Sequence, residues 1–126
     1  MRVLLAEDDP SILAIAVMAL TRVGHHVVVT AVDGEEALTL ASRERFDIIL
    51  LDVMMPKLDG FETCTRLKAD EATRAIPVIF LTAKAQVNEV HRGMGLGALG
   101  YILKPFDPMS LHRQIEDILR NHADAA

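Results

Sequence analysis

Phe46-Asp47-Ile48-Ile49-Leu50-Leu51-Asp52-Val53-Met54-Met55-Pro56 is the stretch on which the fold turns. At its centre is a short, unbroken apolar run closed by a carboxylate. A continuous run of β-branched and leucine residues, too short for a helix, reads as a strand buried on both faces. Four more runs of the same kind flank it, at residues 2–6, 26–30, 76–81 and 100–103. Each is bounded by glycine, proline or charged residues.

Segments with helical spacing separate these runs. Asp9-Pro10 opens the first, with Asp9 suited to the N-cap and Pro10 to the first helical position. Gly24 closes it. Asp33-Gly34-Glu35-Glu36 opens the second with the acidic residues that a helix N-terminus favours. Asp59-Gly60 opens the third, and Asp107-Pro108 opens the last, which is expected to end near Asn121. The fourth, from about Ala85, is weak: Gly93, Gly95 and Gly97 crowd its far end, and each internal glycine costs a helix ~1 kcal/mol relative to alanine. Strands alternating with helices in this way predict a parallel sheet covered on both faces.

Bulk composition sets the outer bounds. The chain has 126 residues, 51% hydrophobic and 25% charged, which suits one globular domain with a core that needs no staples. One cysteine, Cys64, cannot form an internal disulfide; it reads as a small packed helix residue in a reducing compartment. The longest apolar run, residues 12–20, falls well short of the ~20 residues that span a bilayer, and it has neither the basic leader nor the cleavage site of a signal peptide. A cytoplasmic location without membrane insertion is therefore expected. A net charge of −5, with no clustered basic face, argues against direct nucleic-acid binding.

Ligands of open parallel sheets bind beyond the carboxyl ends of the strands. Just past the first run come Glu7, Asp8 and Asp9; past the third, Asp52; past the fourth, Thr82; past the fifth, Lys104. The second delivers only Ala31. Carboxylates gathered at one rim repel unless a counter-charge joins them. Hard oxygen donors without histidine or cysteine point to Mg²⁺, which takes only one or two protein carboxylates. With the metal and Lys104, such a rim is an electrophilic cradle for a transferring phosphoryl group, a reaction that depends on positioning and charge neutralisation. Asp52 is the expected nucleophile, since carboxylates form aspartyl-phosphates. Thr82 would donate its hydroxyl to one phosphoryl oxygen, and Lys104 would neutralise another. Taken singly, each of these residues reads as a cap, a turn or a surface charge; their convergence at one rim is what points to chemistry.

These residues resemble the response-regulator receiver family of two-component signal transduction, in its chemotaxis-regulator-like form, from Arg2 to about Arg120. The resemblance rests on Val3-Leu4-Leu5-Ala6-Glu7-Asp8-Asp9-Pro10, on the stretch from Phe46 to Pro56, on Leu58-Asp59-Gly60, on Pro77-Val78-Ile79-Phe80-Leu81-Thr82-Ala83 and on the stretch from Gly97 to Phe106, all in the family's order and spacing. It implies a flavodoxin-like (βα)5 doubly wound five-stranded parallel sheet of strand order 2-1-3-4-5, with the receiver domain at residues 1–121 and a short tail at 122–126. By the same resemblance, Asp52 is the phosphoacceptor, Asp8 a direct ligand of Mg²⁺ (or Mn²⁺), Glu7 a ligand through water, and the Met54 backbone carbonyl the remaining protein ligand beside Asp52. Lys104-Pro105 resembles the family's cis peptide. Thr82 and Tyr101 resemble its switch pair, in which the threonine moves to the phosphoryl group and the aromatic ring turns inward. Met54 and Lys84 occupy variable positions that tune the hydrolytic water, Glu7 stands where aspartate is commoner, and Leu99 stands where a polar residue is usual.

The resemblance implies a signalling switch that catalyses only its own phosphorylation and dephosphorylation. A histidine kinase or histidine phosphotransfer protein would dock on the first helix, and a downstream protein or output domain on the face formed by the fourth helix, fifth strand and fifth helix. Homodimerisation on phosphorylation is a further possibility. Residues 12–20 carry no charge, so Leu13, Val17 and Leu20 lie on a different face from Ile12, Ile15, Ala16 and Ala19, and one of these faces should stay outward. Three other readings fit the residues less well. An aspartyl-phosphate hydrolase usually carries a second aspartate two residues after its nucleophile, where this chain has Met54. A nucleotide- or flavin-binding domain needs a glycine-rich loop after the first strand, where this chain is acidic. A constitutive interaction module does not need the intact set of acidic pair, Asp52, Thr82 and Lys104.

Overall fold

A computed structural model describes residues 1–125, with side chains through residue 122. In chain order the elements are β1 (Arg2–Ala6), α1 (Pro10–Met18), β2 (Val27–Ala31), α2 (Gly34–Arg43), β3 (Ile48–Asp52), α3 (Gly60–Ala69), β4 (Val78–Ala83), α4 (Val87–Gly93), β5 (Gly100–Lys104) and α5 (Leu111–Ala125). All five strands are parallel, in the order β2-β1-β3-β4-β5, as expected.

The uninterrupted apolar runs serve two cores at once, because successive side chains point to opposite faces. Leu4, Ile49, Leu51, Val78 and Phe80 meet α2, α3 and α4 through Ala37, Cys64, Leu67 and Val90. Val3, Leu5, Ile48, Leu50, Ile79 and Ile102 meet α1 and α5 through Ala16, Leu20, Leu111 and Ile115. Each fully buried leucine or isoleucine contributes about 1.5–3 kcal/mol. Cys64 is fully buried in the first of these layers, the packed role its sequence context suggested. Not every strand is buried on both sides, however: β2 is an edge, and Val27 is 56% exposed.

Carboxylate caps start three helices. Asp9 accepts from Ser11 and Ile12 N–H ahead of Pro10, Asp33 from Glu36 N–H, and Asp59 from Glu62 N–H. Elsewhere the boundaries differ from expectation. The first helix ends in a π turn, Ala19–Val23, closed by Gly24, whose N–H reaches back to Ala19 O. Gly24 itself is not left-handed; the positive φ falls on His25. Asp107 caps a turn, accepting from Met109 N–H, so α5 begins at Leu111 rather than at Pro108. That helix then continues to Ala125, through most of the expected tail; Ala126 lies outside the described residues.

The weak fourth helix is a seven-residue α-helix between two 3-10 turns, Lys84–Gln86 and Met94–Leu96. Gly97 ends it at φ 106°, a left-handed conformation that glycine adopts without penalty. Among the described residues, no helix is long and apolar enough to cross a membrane.

Candidate functional site

β1, β3, β4 and β5 each carry one polar group to the same rim. Asp52 and Lys104 are the last residues of β3 and β5, and Thr82 is the last but one of β4, so each strand runs a residue or two further than its apolar run. Glu7 follows β1 directly and is fixed by its own N–H, which donates to Ala31 O at 3.0 Å. Val53 N–H donates to Leu81 O at 3.0 Å and continues the β3–β4 pairing one step beyond Asp52. The rim is therefore set by backbone hydrogen bonds before any side chain is placed.

Carboxylate oxygens of Glu7, Asp8 and Asp52 lie within 4.8 Å of one another. Glu7 is 1% exposed and Asp52 4%, whereas Asp8 is open to solvent. The Lys104 ammonium joins them, 2.7 Å from Glu7 Oε1 and 3.0 Å from Asp52 Oδ1. Two backbone groups add to this: Met54 N–H donates to Asp52 Oδ1 at 3.2 Å, and Asp9 N–H to Glu7 Oε2 at 3.2 Å.

Burial pushes the Asp52 carboxyl up to about 7, reinforced by its hydrogen bond with the Glu7 carboxyl, while Lys104 pulls the other way. Burial works against the Lys104 ammonium, but its hydrogen bonds to Glu7 and Asp52 outweigh that cost and hold it above the usual lysine value. Three carboxyls and one ammonium leave a negative excess that a divalent cation could balance. The donor set, all hard oxygen with no nitrogen or sulfur, fits such an ion.

Thr82 is fully buried, and its hydroxyl donates to Ala83 O at 3.2 Å, so it is turned to its own strand end rather than to Asp52. Tyr101 is half-buried on β5, and its hydroxyl meets His91 of α4. The Met54 side chain is 60% exposed, and the Lys104-Pro105 peptide is cis.

Two features were not foreseen. A Cβ at Gly60 would collide with the Asp52 carbonyl and the Val53 Cα, so this glycine lets α3 start against the backbone of Asp52. Its place in Asp59-Gly60, just after the β3 loop, was the available signal. An open cavity of 410 Å³ beside the rim is lined by Ile12, Ile15, Ala83, Lys104, Pro105 and Phe106. Neither expected face of α1 stays outward as a set: Leu20 on one and Ala16 and Ala19 on the other are buried, Leu13 and Val17 pack partly against the core, and the exposed apolar residues are Ala14, Ile15 and Met18.

Residues 3–116 match the response regulator receiver domain family. The chain belongs to that family. This receiver domain is 41% identical over 125 residues to the alkaline phosphatase synthesis transcriptional regulatory protein PhoP of Bacillus subtilis, covering 99% of this chain and 51% of that protein. The chain spans about half the length of the curated relatives it first matches. Its fold superposes on the chemotaxis response regulator CheY4 of Vibrio cholerae with a TM-score of 0.86 at 32% identity, covering 93% of this chain and 97% of that one. The receiver domain of the sensor histidine kinase PA1611 from Pseudomonas aeruginosa, solved with a magnesium ion coordinated in its active-site cleft, gives 0.83 at 32% identity over 94% and 97% of the two chains. Receiver domains are signalling switches of two-component systems rather than enzymes with free substrates, and this chain shares their phosphoryl-accepting role.

Proposed function

We propose that this receiver domain takes a phosphoryl group onto Asp52 from a histidine kinase or histidine phosphotransfer protein. The observation that carries the reading is the placement of Asp52 at the end of the central strand, buried, with the Lys104 ammonium 3.0 Å away. Asp8, Asp52 and the Met54 carbonyl would hold Mg²⁺ (or Mn²⁺), with Glu7 acting through water. When bound, the cation supplies positive charge against the phosphoryl oxygens and the acidic rim.

The chain's own residues supply the rest. An Asp52 carboxylate oxygen forms the new P–O bond as the P–N bond to the donor imidazole breaks, the imidazole keeping the bonding pair. Lys104 neutralises a phosphoryl oxygen, which requires it to loosen its bridge to Glu7. Thr82 trades its Ala83 carbonyl for the phosphoryl group, and Tyr101 turns inward toward the space left behind. Apart from this, the domain would catalyse only its own dephosphorylation.

The apolar cavity beside the rim and the exposed Ile15 and Met18 support docking of a helical donor along α1. The face made by α4, β5 and α5 would carry the signal to a downstream protein or output domain, or to a second phosphorylated copy. A net charge of −5 supports signalling by protein contact for this domain itself, and its single, buried Cys64 suits a reducing, cytoplasmic setting.

Titration with acetyl phosphate or BeF₃⁻ and Mg²⁺, followed by amide NMR, tests the reading. Wild type should respond at the rim and on the α4–β5–α5 face, and Asp52→Asn should not. Equal responses from the two chains would refute the assignment of Asp52.

A further inference from the structure

Tyr101 is the only tyrosine in the chain, and there is no tryptophan. Its ring lies on the sheet face that α4 covers, against the core layer containing Phe80 and Val90. Phe80 is its register partner on β4, and Thr82 pairs with Leu103, so Tyr101 and Thr82 are diagonal neighbours on one face. Its hydroxyl lies 3.1 Å from His91 Nε2, with ring centroids 5.4 Å apart and planes tilted by 58°.

His91 is exposed and sits in the last turn of α4, a helix of seven residues with no side-chain N-cap. An exposed hydrogen bond of this kind does little for global stability. It matters when it is made in only one of two conformations that lie close in energy, because a ligand and a latch then bias the same equilibrium.

We infer that His91 is a positioning residue for the switch: by holding the Tyr101 hydroxyl against α4, it favours the outward ring and lowers affinity for a phosphoryl group at Asp52. The inference rests on the function proposed above. Turning the ring toward Thr82 breaks the His91 contact, so whatever strengthens that contact weakens phosphoryl binding by the same factor. Among the described residues, no hydrogen bond or ion pair joins His91 to Asp52 or to another rim residue. Its effect must pass through Tyr101, and that requirement makes the inference testable.

The experiment measures BeF₃⁻ midpoints in the presence of Mg²⁺ by amide NMR for wild type, His91→Leu, His91→Gln, Tyr101→Phe and the double variant His91→Leu/Tyr101→Phe. Acrylamide quenching of Tyr101 fluorescence is measured in parallel on the chains that keep the tyrosine. His91→Leu should lower the midpoint by about 2–5-fold, the worth of one exposed hydrogen bond, and should shield Tyr101 from acrylamide before any BeF₃⁻ is added. His91→Gln, whose amide can reach the same hydroxyl, should stay near wild type. In the Tyr101→Phe background, His91→Leu should have no further effect.

An unshifted midpoint in His91→Leu overturns the inference. So does a shift that persists in the Tyr101→Phe background, which would reflect α4 packing alone, or a His91→Gln chain that behaves like His91→Leu. A wild-type chain with no Asp52-dependent response overturns the proposed function and this inference together, whereas a normal wild-type response with an unmoved His91→Leu midpoint overturns the inference alone.

Discussion

The Lys104 ammonium reaches across β4 to lie 3.0 Å from Asp52 Oδ1, joining the ends of two strands that are not neighbours in the sheet. Its other partner, Glu7 on the far side of Asp52, completes a bridge over three strand ends. Lys104 is the one cation among these buried acids, so its removal leaves uncompensated charge. Lys104→Met should cost about 1–3 kcal/mol at pH 8, discounted from a fully buried pair because Lys104 keeps some solvent contact, and less at pH 5. Urea unfolding at the two pH values measures this; equal losses at both would mean the ammonium is not balancing ionised carboxyls.

Asp52 itself should make the free domain less stable as pH rises. Its folded value of about 7 lies above the ordinary carboxyl value of 3.8, so between these limits the folded chain keeps a proton that the unfolded chain releases. Stability therefore falls through that window, and the full cost is present above it. Asp52→Asn should be more stable than wild type by about 1–3 kcal/mol at pH 8 without metal, with the difference vanishing toward pH 4. Adding Mg²⁺ should raise the wild-type Tm and leave Asp52→Asn nearly unchanged. A wild-type chain whose metal-free stability climbs from pH 4 to 8 relative to Asp52→Asn would contradict the burial-driven shift.

The strands and three of the helix starts were legible because single residues carry them. An apolar run states burial on two faces, and Asp9, Asp33 and Asp59 each supply a cap oxygen just ahead of a helix. Strand ends were misjudged by a residue or two because Asp52, Thr82 and Lys104 are polar yet still hydrogen-bond in the ladder. The π turn at Ala19–Val23 depends on packing against α5, which no local pattern encodes, and α5 starts late because the Asp107 carboxylate caps a turn at Met109 instead of the helix itself. The set of rim residues could be read from strand order and position, but their present partners could not. The Thr82 hydroxyl on Ala83 O and the Tyr101 hydroxyl on His91 are choices of rotamer and register.

At the opposite end of the sheet, His26 gives the reverse pH dependence. Its ring nitrogens meet the Met1 ammonium at 3.1 Å and His112 Nδ1 at 2.8 Å, and His112 Nε2 reaches Glu116 at 3.2 Å. Burial, then the ammonium and His112, hold His26 below the usual histidine value, with Glu116 opposing. The folded chain thus resists a proton that the unfolded chain accepts, so this stabilisation is present above about pH 6.5 and is lost as pH falls below it. Measured in Asp52→Asn, which removes the opposing slope, stability should drop from pH 7 to pH 5, and His26→Gln should flatten that drop. An unchanged slope in His26→Gln would assign the titration elsewhere.

Gly60 ties the start of α3 to the backbone of Asp52. Because an added Cβ meets the Asp52 carbonyl and the Val53 Cα rather than a flexible side-chain end, the strain cannot be relieved cheaply. Gly60→Ala should destabilise by about 1–3 kcal/mol and shift the amide resonances of Asp52 and Val53. A Tm equal to wild type would show that α3 can retreat without disturbing the site.

The two sides of α1 separate docking from packing. Ile15 is 41% exposed and lines the apolar cavity next to Lys104, whereas Leu13 packs against the α1–α5 core layer. Ile15→Glu should change stability by less than about 0.5 kcal/mol, and it should slow phosphotransfer from a histidine donor protein by about tenfold. Its rate with acetyl phosphate should match wild type, because a small donor reaches Asp52 without touching α1. Leu13→Glu should instead cost about 1–2 kcal/mol, since it removes a side chain that packs partly against the α1–α5 core layer. Equal phosphotransfer rates for Ile15→Glu and wild type would place the donor elsewhere, leaving the exposed apolar side of α1 to a different partner.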